Sequence, residues 1–437
     1  MTTGARPNRK GDLIHWQRTA GPAPVCDTLT TKIAADVVVV GGGLTGTRTA
    51  LGLAESGARV VLLEGQKIGF GASGRSGGQC NPIWRATPDE LGERLGKALA
   101  TRLIETTLGS ADALFDDINQ YGITCDHAQN GWVQAAHCAS AQRSLERLGT
   151  AWNAAGATIR FQDKDETVRS SGSPAYDFSL FHPKGGHVQP LSLTRGFAHA
   201  AIEHGATLYE NSPVLSMKNT DGIWTVTTAS GTVSAPQVIL TTNAYSDDLW
   251  PKLRQTFFPL VSVSLATAPL SVEQQKTVLP GGVTIADTRR AIYYSRYDRD
   301  NRLIFGCVGS TDNSADFGGI ARLKEGLGIV FPQLHGIGIE ATWAGRIAVT
   351  PEMMPHLHEP APGVLAGLGF SGRGIAMTSV MARTLIKKAL GAADDTLPFA
   401  VTPVQSLPLH WASRKLIPLA APAMTLRDKI DTMLNRS

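Results

Sequence analysis

The chain has 437 residues, enough for two or three domains with sizeable hydrophobic cores. Hydrophobic residues make up 42% and charged residues 18%, with a formal net charge of only +4. This composition is typical of a globular protein, and it lacks the block of like charges that would indicate a nucleic-acid or polybasic membrane surface. No apolar run reaches the roughly 18 residues that indicate a membrane-spanning helix.

The cysteines, the histidines and the N-terminus narrow the class further. The five cysteines are scattered and include no C-x-x-C pair, which disfavours a disulfide framework, a zinc ribbon and a redox dithiol. His356 and His358 lack an H-E-x-x-H setting, so no metal site is predicted. Residues 1–11 are polar and lack the apolar segment of a signal peptide. We therefore expect a cytoplasmic protein.

In chain order, residues 1–29 are predicted to form an arm that lies over the surface and is anchored by Trp16. Residues 36–64 follow as the best-defined unit of the sequence. A β-branched run ending at Val40 predicts a strand buried on both faces, and a helix and a second strand follow before Glu64. The pattern is therefore βαβ.

The turn between the first strand and the helix contains Gly41, Gly43 and Gly46 in G-x-G-x-x-G register, with Glu64 roughly 20 residues further on. Gly41 allows the tight turn, Gly43 lets the backbone approach a pyrophosphate, and Gly46 lets the helix and strand pack closely. The helix N-terminus then directs N–H groups and its positive dipole end at the phosphates. Glu64 would accept hydrogen bonds from the adenosine ribose, so the unit predicts dinucleotide binding.

Residues 68–79 are too rich in glycine for a helix interior and predict a loop whose bare N–H groups approach something flat or anionic. Gly74 to Gly78 also match the G-x-S-x-G pattern of a nucleophile elbow around Ser76. That elbow needs a strand directly before it, and glycine-rich loop stands there instead. A nucleophilic Ser76 is therefore disfavoured.

The middle of the chain alternates helical and strand-like patterns. Helices are predicted over residues 88–121, 140–155 and 191–204, and short strands over 131–136, 207–211, 214–217, 223–228 and 237–240. Longer alternating strands at 257–266, 292–297 and 303–308 favour an antiparallel sheet. On the second of these, Tyr294 and Arg296 share one face while Tyr293 takes the other. Each tyrosine is either a wall of a ligand pocket or ordinary sheet packing.

The last third contains a second glycine-rich turn. Strands are predicted over residues 341–345 and 364–367, and Gly369 to Gly374 then open a helix over 375–390. Residues 401–437 form a C-terminal extension that would pack on the domain or contact another subunit.

Taken together, these motifs resemble the FAD-dependent amine and amino-acid oxidoreductases of the D-amino-acid oxidase/glycine oxidase superfamily, and within it γ-glutamylputrescine oxidoreductases and L-pipecolate oxidases. The resemblance spans roughly residues 12–415. It is carried by D-V-V-V-V-G-G-G-L-T-G at 36–46, Glu64, G-F-G-A-S-G-R-S-G-G-Q at 69–79, G-G-H at 185–187, W-A-G-R at 343–346 and G-F-S-G-R-G at 369–374.

The resemblance implies an α/β fold with a Rossmann-like FAD-binding domain and a substrate domain that has a mainly antiparallel sheet. The FAD domain would be discontinuous, built from residues 30–90, 185–255 and 340–400. Residues 91–184 and 256–339 would form the substrate domain, whose sheet roofs the flavin.

The resemblance also implies which residues bind FAD. The first turn would hold the pyrophosphate, the loop after Glu64 would run beside the flavin, and the helix after the last glycine-rich turn would stabilise negative charge on the ring. The implied set is Gly41, Gly43, Leu44, Thr45, Gly46, Glu64, Gly71, Ala72, Ser73, Gly74, Arg75, Gly78, Gln79, Val214, Thr242, Gly369, Ser371, Gly372, Arg373, Gly374, Ile375 and Met377.

The chain departs from the family pattern in two places. Relatives with covalent flavin use a cysteine just before the last glycine-rich turn, whereas the last cysteine here is Cys307, so non-covalent FAD is expected. Many relatives read W-(A/G)-G-L-R-P where this chain has W-A-G-R-I, so Arg346 is offset by one position. Arg346 is either an anchor for a substrate carboxylate, which its planar fork matches, or a structural ion-pair partner.

The function implied is oxidation of the C–N bond of an amine or amino acid. The candidate catalytic residues are Arg346, Tyr294 and Arg296. O2 or an electron carrier would reoxidise the flavin, and no nucleic acid would bind. Three alternatives stay open: an FAD aromatic hydroxylase, an NAD-dependent dehydrogenase, and an FAD-bearing binding or assembly subunit without turnover. The first normally has a late Gly-Asp motif, whereas the Gly-Asp of this chain is at Gly11-Asp12.

Overall fold

The computed structural model describes residues 14–310, 319–408 and 410–434. Its helices are α1 His15–Thr19, α2 Leu44–Glu55, α3 Pro88–Leu95, α4 Lys97–Gln120, α5 Ala139–Ala154, α6 Lys164–Ser171, α7 Pro190–Glu203, α8 Val272–Gln275, α9 Ile320–Val330, α10 Gly374–Ala389 and α11 His410–Leu434. The predicted polar N-terminus, residues 1–11, lies outside the described residues.

The strands number as follows in the same ranges of the chain: β1 Lys32–Ala34, β2 Val37–Val40, β3 Val60–Leu63, β4 Gln79–Cys80, β5 Trp132–Ala135, β6 Arg160–Gln162, β7 Ser179–His182, β8 Gly186–His187, β9 Thr207–Tyr209, β10 Ser216–Thr220, β11 Ile223–Thr227, β12 Thr232–Ala235, β13 Gln237–Leu240, β14 Phe258–Pro269, β15 Thr284–Asp287, β16 Tyr294–Tyr297, β17 Arg302–Gly309, β18 Ile339–Val349, β19 His356–Ala361, β20 Val364–Leu368 and β21 Val401–Thr402.

A seven-stranded sheet in the order β21-β19-β20-β13-β2-β3-β9 carries the first glycine-rich turn. Strand β2 lies between β13 and β3 and pairs in parallel with both. All four of its valines are buried, because helices cover one face of the sheet and strands β11 and β12 of a second sheet cover the other. The βαβ unit is therefore formed by β2, α2 and β3, as the sequence predicts, and the carboxyl ends of these strands point to one edge.

An eight-stranded sheet in the order β18-β14-β17-β16-β15-β5-β7-β6 forms the second layer. Its pairs are antiparallel except for β15 with β5. This is the mainly antiparallel sheet that the resemblance implies. A four-stranded sheet, β1-β12-β11-β10, and the short pair β4–β8 complete the architecture. Asp221 and Gly222 both have positive φ in the β10–β11 hairpin, as a type I′ turn requires.

The hydrophobic core lies in separate layers beneath the two large sheets. One cluster joins α2, α7 and α10 with the faces of β2 and β3, and a second fills the space between the eight-stranded sheet and α9. No helix in the described ranges combines the length and the apolar character needed to cross a membrane.

Several segments differ from the sequence-based expectation. The helical stretch 88–121 is two helices, because Gly96 between them has a φ of 78°. The strand expected at 341–345 is longer and pairs along β14 in the eight-stranded sheet, so the start of the 340–400 segment lies with the substrate-side sheet rather than with the cofactor-side sheet. The division into domains otherwise stays a prediction.

The N-terminal arm is more deeply packed than a surface strap. Trp16 on α1 is fully buried, and its ring lies edge-on to Trp343 of β18 at 5.6 Å between centroids. The Nε2 of His15 lies 2.8 Å from Asp298 Oδ2, and both side chains are buried. Helix α1 therefore joins the arm to the edge of the eight-stranded sheet.

Candidate active site

A cavity of about 960 Å³ lies where the carboxyl ends of the parallel strands meet the eight-stranded sheet. Its size is near the upper end of the range of about 300–1,000 Å³ that is usual for small-molecule sites. Residues from both glycine-rich turns, from the 70–79 loop and from strands β5, β14, β16 and β18 line it. The cavity therefore collects segments that are far apart in the sequence.

The first glycine-rich turn presents bare backbone to this cavity. Gly41 has a φ of 109°, which few residues other than glycine adopt. A Cβ on Gly46 would collide with the carbonyl oxygen of Gly41, so this glycine lets α2 pack against the turn. At Gly43 an added Cβ would lie 2.8 Å from Ser73 Oγ, and that hydroxyl accepts a hydrogen bond from Leu44 N at 2.9 Å. The geometry matches an anion cradle at a helix N-terminus.

Glu64 stabilises this turn from the next strand. Its Oε2 accepts from Gly42 N at 2.7 Å and its Oε1 accepts from Gln66 N at 2.9 Å. Burial raises the pKa of Glu64, and the two backbone N–H groups oppose that rise. The carboxylate lines the cavity at the end of β3 and fixes the turn, and its contact with a ribose stays a prediction.

The 70–79 loop joins the two sheets. Gln79 Nε2 donates to the carbonyl oxygens of Ile285 and Ser295, at 3.0 and 2.9 Å. Trp16 Nε1 donates to Ser76 O at 2.9 Å. The Oγ of Ser76 is buried and has no hydrogen-bond partner among the described residues. No strand directly precedes Ser76, so a nucleophile elbow at this serine stays disfavoured.

The second glycine-rich turn precedes α10 on the other side of the cavity. Ser371 and Gly372 have φ values of 50° and 83°, and a Cβ at Gly372 would meet only open space. Gly369 N donates to Asn243 Oδ1 at 2.9 Å, which fixes the entry to the turn. Arg373, the N-cap residue of α10, lies over the ring of Trp132 at 5.1 Å.

Tyr294 forms part of the roof. Its hydroxyl is 2.9 Å from both Ser262 Oγ and Ser264 Oγ on β14. Its ring is so close to Gly77 that a Cβ there would lie 2.6 Å from Tyr294 Cε2. Burial raises the pKa of Tyr294, so its hydroxyl stays protonated at neutral pH. Tyr293 lies on the opposite face and packs against Phe305, with 5.5 Å between ring centroids.

Arg296 does not line the cavity. It shares the face of Tyr294, as the alternation predicts, and its Nε donates to Gly77 O at 2.6 Å. Its other nitrogens donate to the carbonyls of Tyr297 and Val188, and its guanidinium lies 4.7 Å from the ring of Trp16. Helix α1 therefore covers this part of the face, and the position of Arg296 corrects the expectation of a catalytic contact.

Arg346 lines the cavity at the end formed by Phe70 and Gly71. Its guanidinium lies 5.8 Å from the ring of Tyr245, and its backbone N donates to the Tyr245 hydroxyl at 3.3 Å. The Tyr245 ring in turn packs against Gly71. A substrate contact of Arg346 stays a prediction.

Most of the predicted cofactor residues meet in this one cavity. Those that line it are Gly41, Gly43, Leu44, Thr45, Glu64, Gly71, Ala72, Ser73, Gly78, Gln79, Val214, Thr242, Ser371, Gly372, Arg373, Gly374 and Ile375. The others support the lining from behind, namely Gly46, Gly74, Arg75, Gly369 and Met377. Arg75, for example, points away and donates to Phe70 O at 2.8 Å.

Sequence reasoning missed several lining residues, notably Arg85, Trp132, Gln134 and Asn81. None stands in a motif, and their proximity arises only because β5 and the loop before α3 reach the same cavity. Ser262 was within reach of sequence reasoning, since it alternates with Val261 and Val263 along a predicted strand.

One group of side chains in the described residues has metal-like spacing: His137, Asp428 and Asp431 lie with ligand atoms within 4.8 Å of one another. Arg290 Nη1 already donates to both carboxylates, at 3.1 and 2.5 Å. Arg290 thus already occupies both carboxylates, so the cluster offers no reason to revise the prediction that no metal binds.

Fold and site together define a dinucleotide-binding oxidoreductase of two layers, with a Rossmann-like sheet below the cavity and an antiparallel sheet above it. A family model described as FAD dependent oxidoreductase matches residues 36–388. The chain belongs to this family and is an FAD-dependent oxidoreductase, which confirms the predicted family, fold class and cofactor.

Two curated relatives and one solved structure illustrate the similarity. The chain is 34% identical over 372 residues to a probable oxidoreductase OrdL of Haemophilus influenzae, covering 83% of this chain and 84% of the relative. It is 32% identical over 408 residues to γ-glutamylputrescine oxidoreductase of Escherichia coli, covering 92% and 95%. The crystal structure of glycine oxidase from Geobacillus kaustophilus matches the fold with a TM-score of 0.71 at 22% identity, over 84% of this chain and 98% of that one.

The residues at the cavity fit FAD. The amides of Gly43 and Thr45 donate to no acceptor among the described residues, and both line the cavity at the N-terminus of α2, where a pyrophosphate would satisfy them. Glu64 and Val214 lie beside that end, suited to the adenosine. The turn at 371–375 offers the N-terminus of α10 to the electron-rich edge of the isoalloxazine.

Proposed function

We propose that this protein oxidises the C–N bond of an amine or amino acid that also bears a carboxylate. The observation that supports this best is the meeting of the substrate-side sheet with the flavin-binding loops around a single cavity. FAD, when bound, supplies the two-electron acceptor. The similarity to a relative named for γ-glutamylputrescine, an amine joined to a carboxylate-bearing group, supports the substrate class.

The chain's own residues would orient the substrate and exclude water. Tyr294 closes the roof above Gly77 and is held there by Ser262 and Ser264. The α-carbon of the neutral amine loses a hydride to the two-electron acceptor, which leaves an iminium C=N bond. Water hydrolyses this iminium to a carbonyl compound and an ammonium ion. Holding the C–H bond in a fixed, dry geometry is the contribution that the protein makes to such a step.

No histidine is found among the described lining residues, and Tyr294 stays protonated at neutral pH. The carboxylates of the lining, namely Glu64, Glu90, Asp247, Asp248 and Asp287, each already accept a hydrogen bond from the protein. We therefore infer that the substrate enters as the neutral amine, or loses its ammonium proton to water, rather than to a dedicated protein base. The second substrate would be O2 or an electron carrier. We also propose that the protein is cytoplasmic and binds no nucleic acid.

Anaerobic titration of the holoenzyme with a panel of amines, amino acids and N-substituted amino acids tests the proposal. Bleaching of the flavin absorbance near 450 nm by a carboxylated amine, on the order of one equivalent per flavin, is the expected result. No bleaching by any amine, together with NADPH oxidation that depends on an aromatic acid, would favour the hydroxylase. No bleaching under either condition would favour a binding subunit without turnover.

A further inference from the structure

Arg85 and Arg373 face the cavity without an acidic partner among the described residues. Arg85 lies in the loop before α3 and Arg373 at the start of α10, and both line the cavity. Neither forms an ion pair with a carboxylate within 4.0 Å in the parts of the chain that the structure describes. Arg373 is buried and lies over Trp132, whereas Arg85 is exposed to the cavity itself.

The surroundings of this pair are unfavourable for positive charge. Although the side chain of Arg85 is open to the cavity, desolvation by the protein around it lowers its pKa, and desolvation together with the charge of Arg85 lowers the pKa of buried Arg373 to about 9. The nearest acid of the cavity lining on the same segment, Glu90, accepts from Thr87 N at 2.9 Å in a capping box. A buried charge without a partner costs stability, so such a pair persists where a ligand supplies the missing charge.

Elements of the eight-stranded sheet and its neighbouring helix line the cavity together with this pair. Trp132 and Gln134 of β5, and Leu145 and Leu148 of α5, line the same region, and both elements lie outside the two glycine-rich turns. The Oε1 of Gln134 is buried there without a hydrogen-bond partner among the described residues. Exposed Arg147 on α5 also lines the cavity, which indicates an opening to solvent beside this helix.

Arg346, in contrast, has different contacts. Its guanidinium lies by the ring of Tyr245, which packs on Gly71, whereas the guanidinium of Arg373 lies over Trp132. The two candidate arginines therefore contact different aromatic rings of the same cavity lining.

We infer that Arg85 and Arg373 form a subsite that binds the carboxylate of the substrate, with Gln134 Oε1 placed to accept from a substrate N–H group. The inference rests on the proposed function for the identity of the substrate, and it assigns the carboxylate to this pair instead of to Arg346. Two planar guanidinium forks suit a carboxylate, since each can offer it two parallel N–H donors.

The probe for this subsite is glutarate, a dicarboxylate without an amine, titrated into the oxidised holoenzyme. Binding is followed by the perturbation of the flavin absorption spectrum, which requires no turnover. Glutaramide, in which both carboxylates are neutral amides, is the matched ligand control. We expect glutarate to bind saturably and glutaramide to bind at least about tenfold more weakly, because a charged hydrogen bond is lost.

The main variant is Arg85→Gln, since the side chain of Arg85 makes no hydrogen bond to the part of the protein that the structure describes. It should raise the Kd for glutarate by about tenfold or more, leave the FAD content unchanged, and raise or maintain the melting temperature of the ligand-free holoenzyme. Arg85→Lys, which keeps the charge but loses the fork, should restore part of the affinity. Arg94→Gln, the same change at an exposed position of α3, is the control.

Three results would overturn the inference: an unchanged Kd for glutarate in Arg85→Gln, equal binding of glutaramide, or a fall in melting temperature that marks Arg85 as structural. A rise in Kd in Arg346→Gln but not in Arg85→Gln would return the carboxylate to Arg346 and would also overturn it. Glutarate binding that depends on Arg85, in an enzyme that no amine reduces, would support the subsite and refute the proposed function. If amines reduce the flavin but the Kd for glutarate does not depend on Arg85, the proposed function is supported and the subsite is refuted.

Discussion

Replacing Glu64 by Gln separates the two tasks that its carboxylate performs. In the protein, Oε2 accepts from Gly42 N at 2.7 Å and Oε1 from Gln66 N at 2.9 Å. Glutamine keeps one acceptor oxygen and sets an amide N–H₂ group against one of these N–H donors. The glycine-rich turn then loses a charge-assisted bond, and a bound ribose loses its charged acceptor.

The expected effect on FAD follows from the number of charged bonds lost. One hydrogen bond to a charged group contributes roughly 1.5–3 kcal/mol, so loss of one bond to ribose raises the Kd for FAD by about 10- to 150-fold. Because burial raises the pKa of Glu64, part of its charge is already disfavoured, and the lower end of this range is the safer expectation.

The assay is reconstitution of apoprotein with FAD, followed by the quenching of flavin fluorescence. Glu203→Gln, an identical change at an exposed helical position, serves as the control. The affinity of the reconstituted variant for its amine should change little, since Glu64 lies at the end of β3, away from the roof. A Kd for FAD equal to that of the control would refute the reasoning and would mean that the ribose is held by other groups.

The remaining predictions use other parts of the molecule. No cysteine is among the described lining residues, so acid precipitation should release intact FAD into the supernatant, and colour retained in the pellet would contradict non-covalent binding. Tyr294→Phe removes both serine contacts and should lower the free energy of unfolding by roughly 1–3 kcal/mol, while most of the rate of flavin reduction is kept. Tyr294→Ala opens the roof of the cavity, so stopped-flow measurements should show that the rate of flavin reduction is lost. Burial lowers the pKa of His182 to about 4, His187 to about 3 and His358 to about 4. The unfolded chain therefore binds more protons below pH about 6.5, so the free energy of unfolding should fall as the pH drops from about 6.5 to 4, and urea melts that coincide at pH 7 and 5 would contradict it.

Residues 36–64 were predictable because each part of that unit depends on near neighbours in the sequence. A buried β-branched strand, a glycine turn, a helix and an acid at a fixed spacing are local features. The same holds for the hairpin at Asp221, where a positive φ is set by the dipeptide itself. Such segments carry their own geometry, and the structure agrees with them.

Arg296 shows where that reasoning fails. The period of two along the strand correctly placed it on the face of Tyr294, and both side chains contact Gly77. Periodicity does not say what covers a face, however, and here Trp16 from the start of the chain lies over Arg296. The error was therefore non-local, since it arose from a segment about 280 residues away in the sequence.

The hydrogen-bond partners of the buried arginines distinguish those that stabilise the fold from those that could bind a ligand. Arg75 and Arg296 are buried, and their guanidinium groups donate to backbone carbonyls, so the cost of burial is offset within the protein itself. Arg85 and Arg373 lack such acceptors among the described residues, and their charges repel. Removing an arginine of the first kind exposes unsatisfied carbonyls, whereas removing Arg85 relieves an unfavourable charge. Opposite signs of the change in stability are thus expected for residues of one chemical type, and only the second kind leaves a charge for a ligand to neutralise.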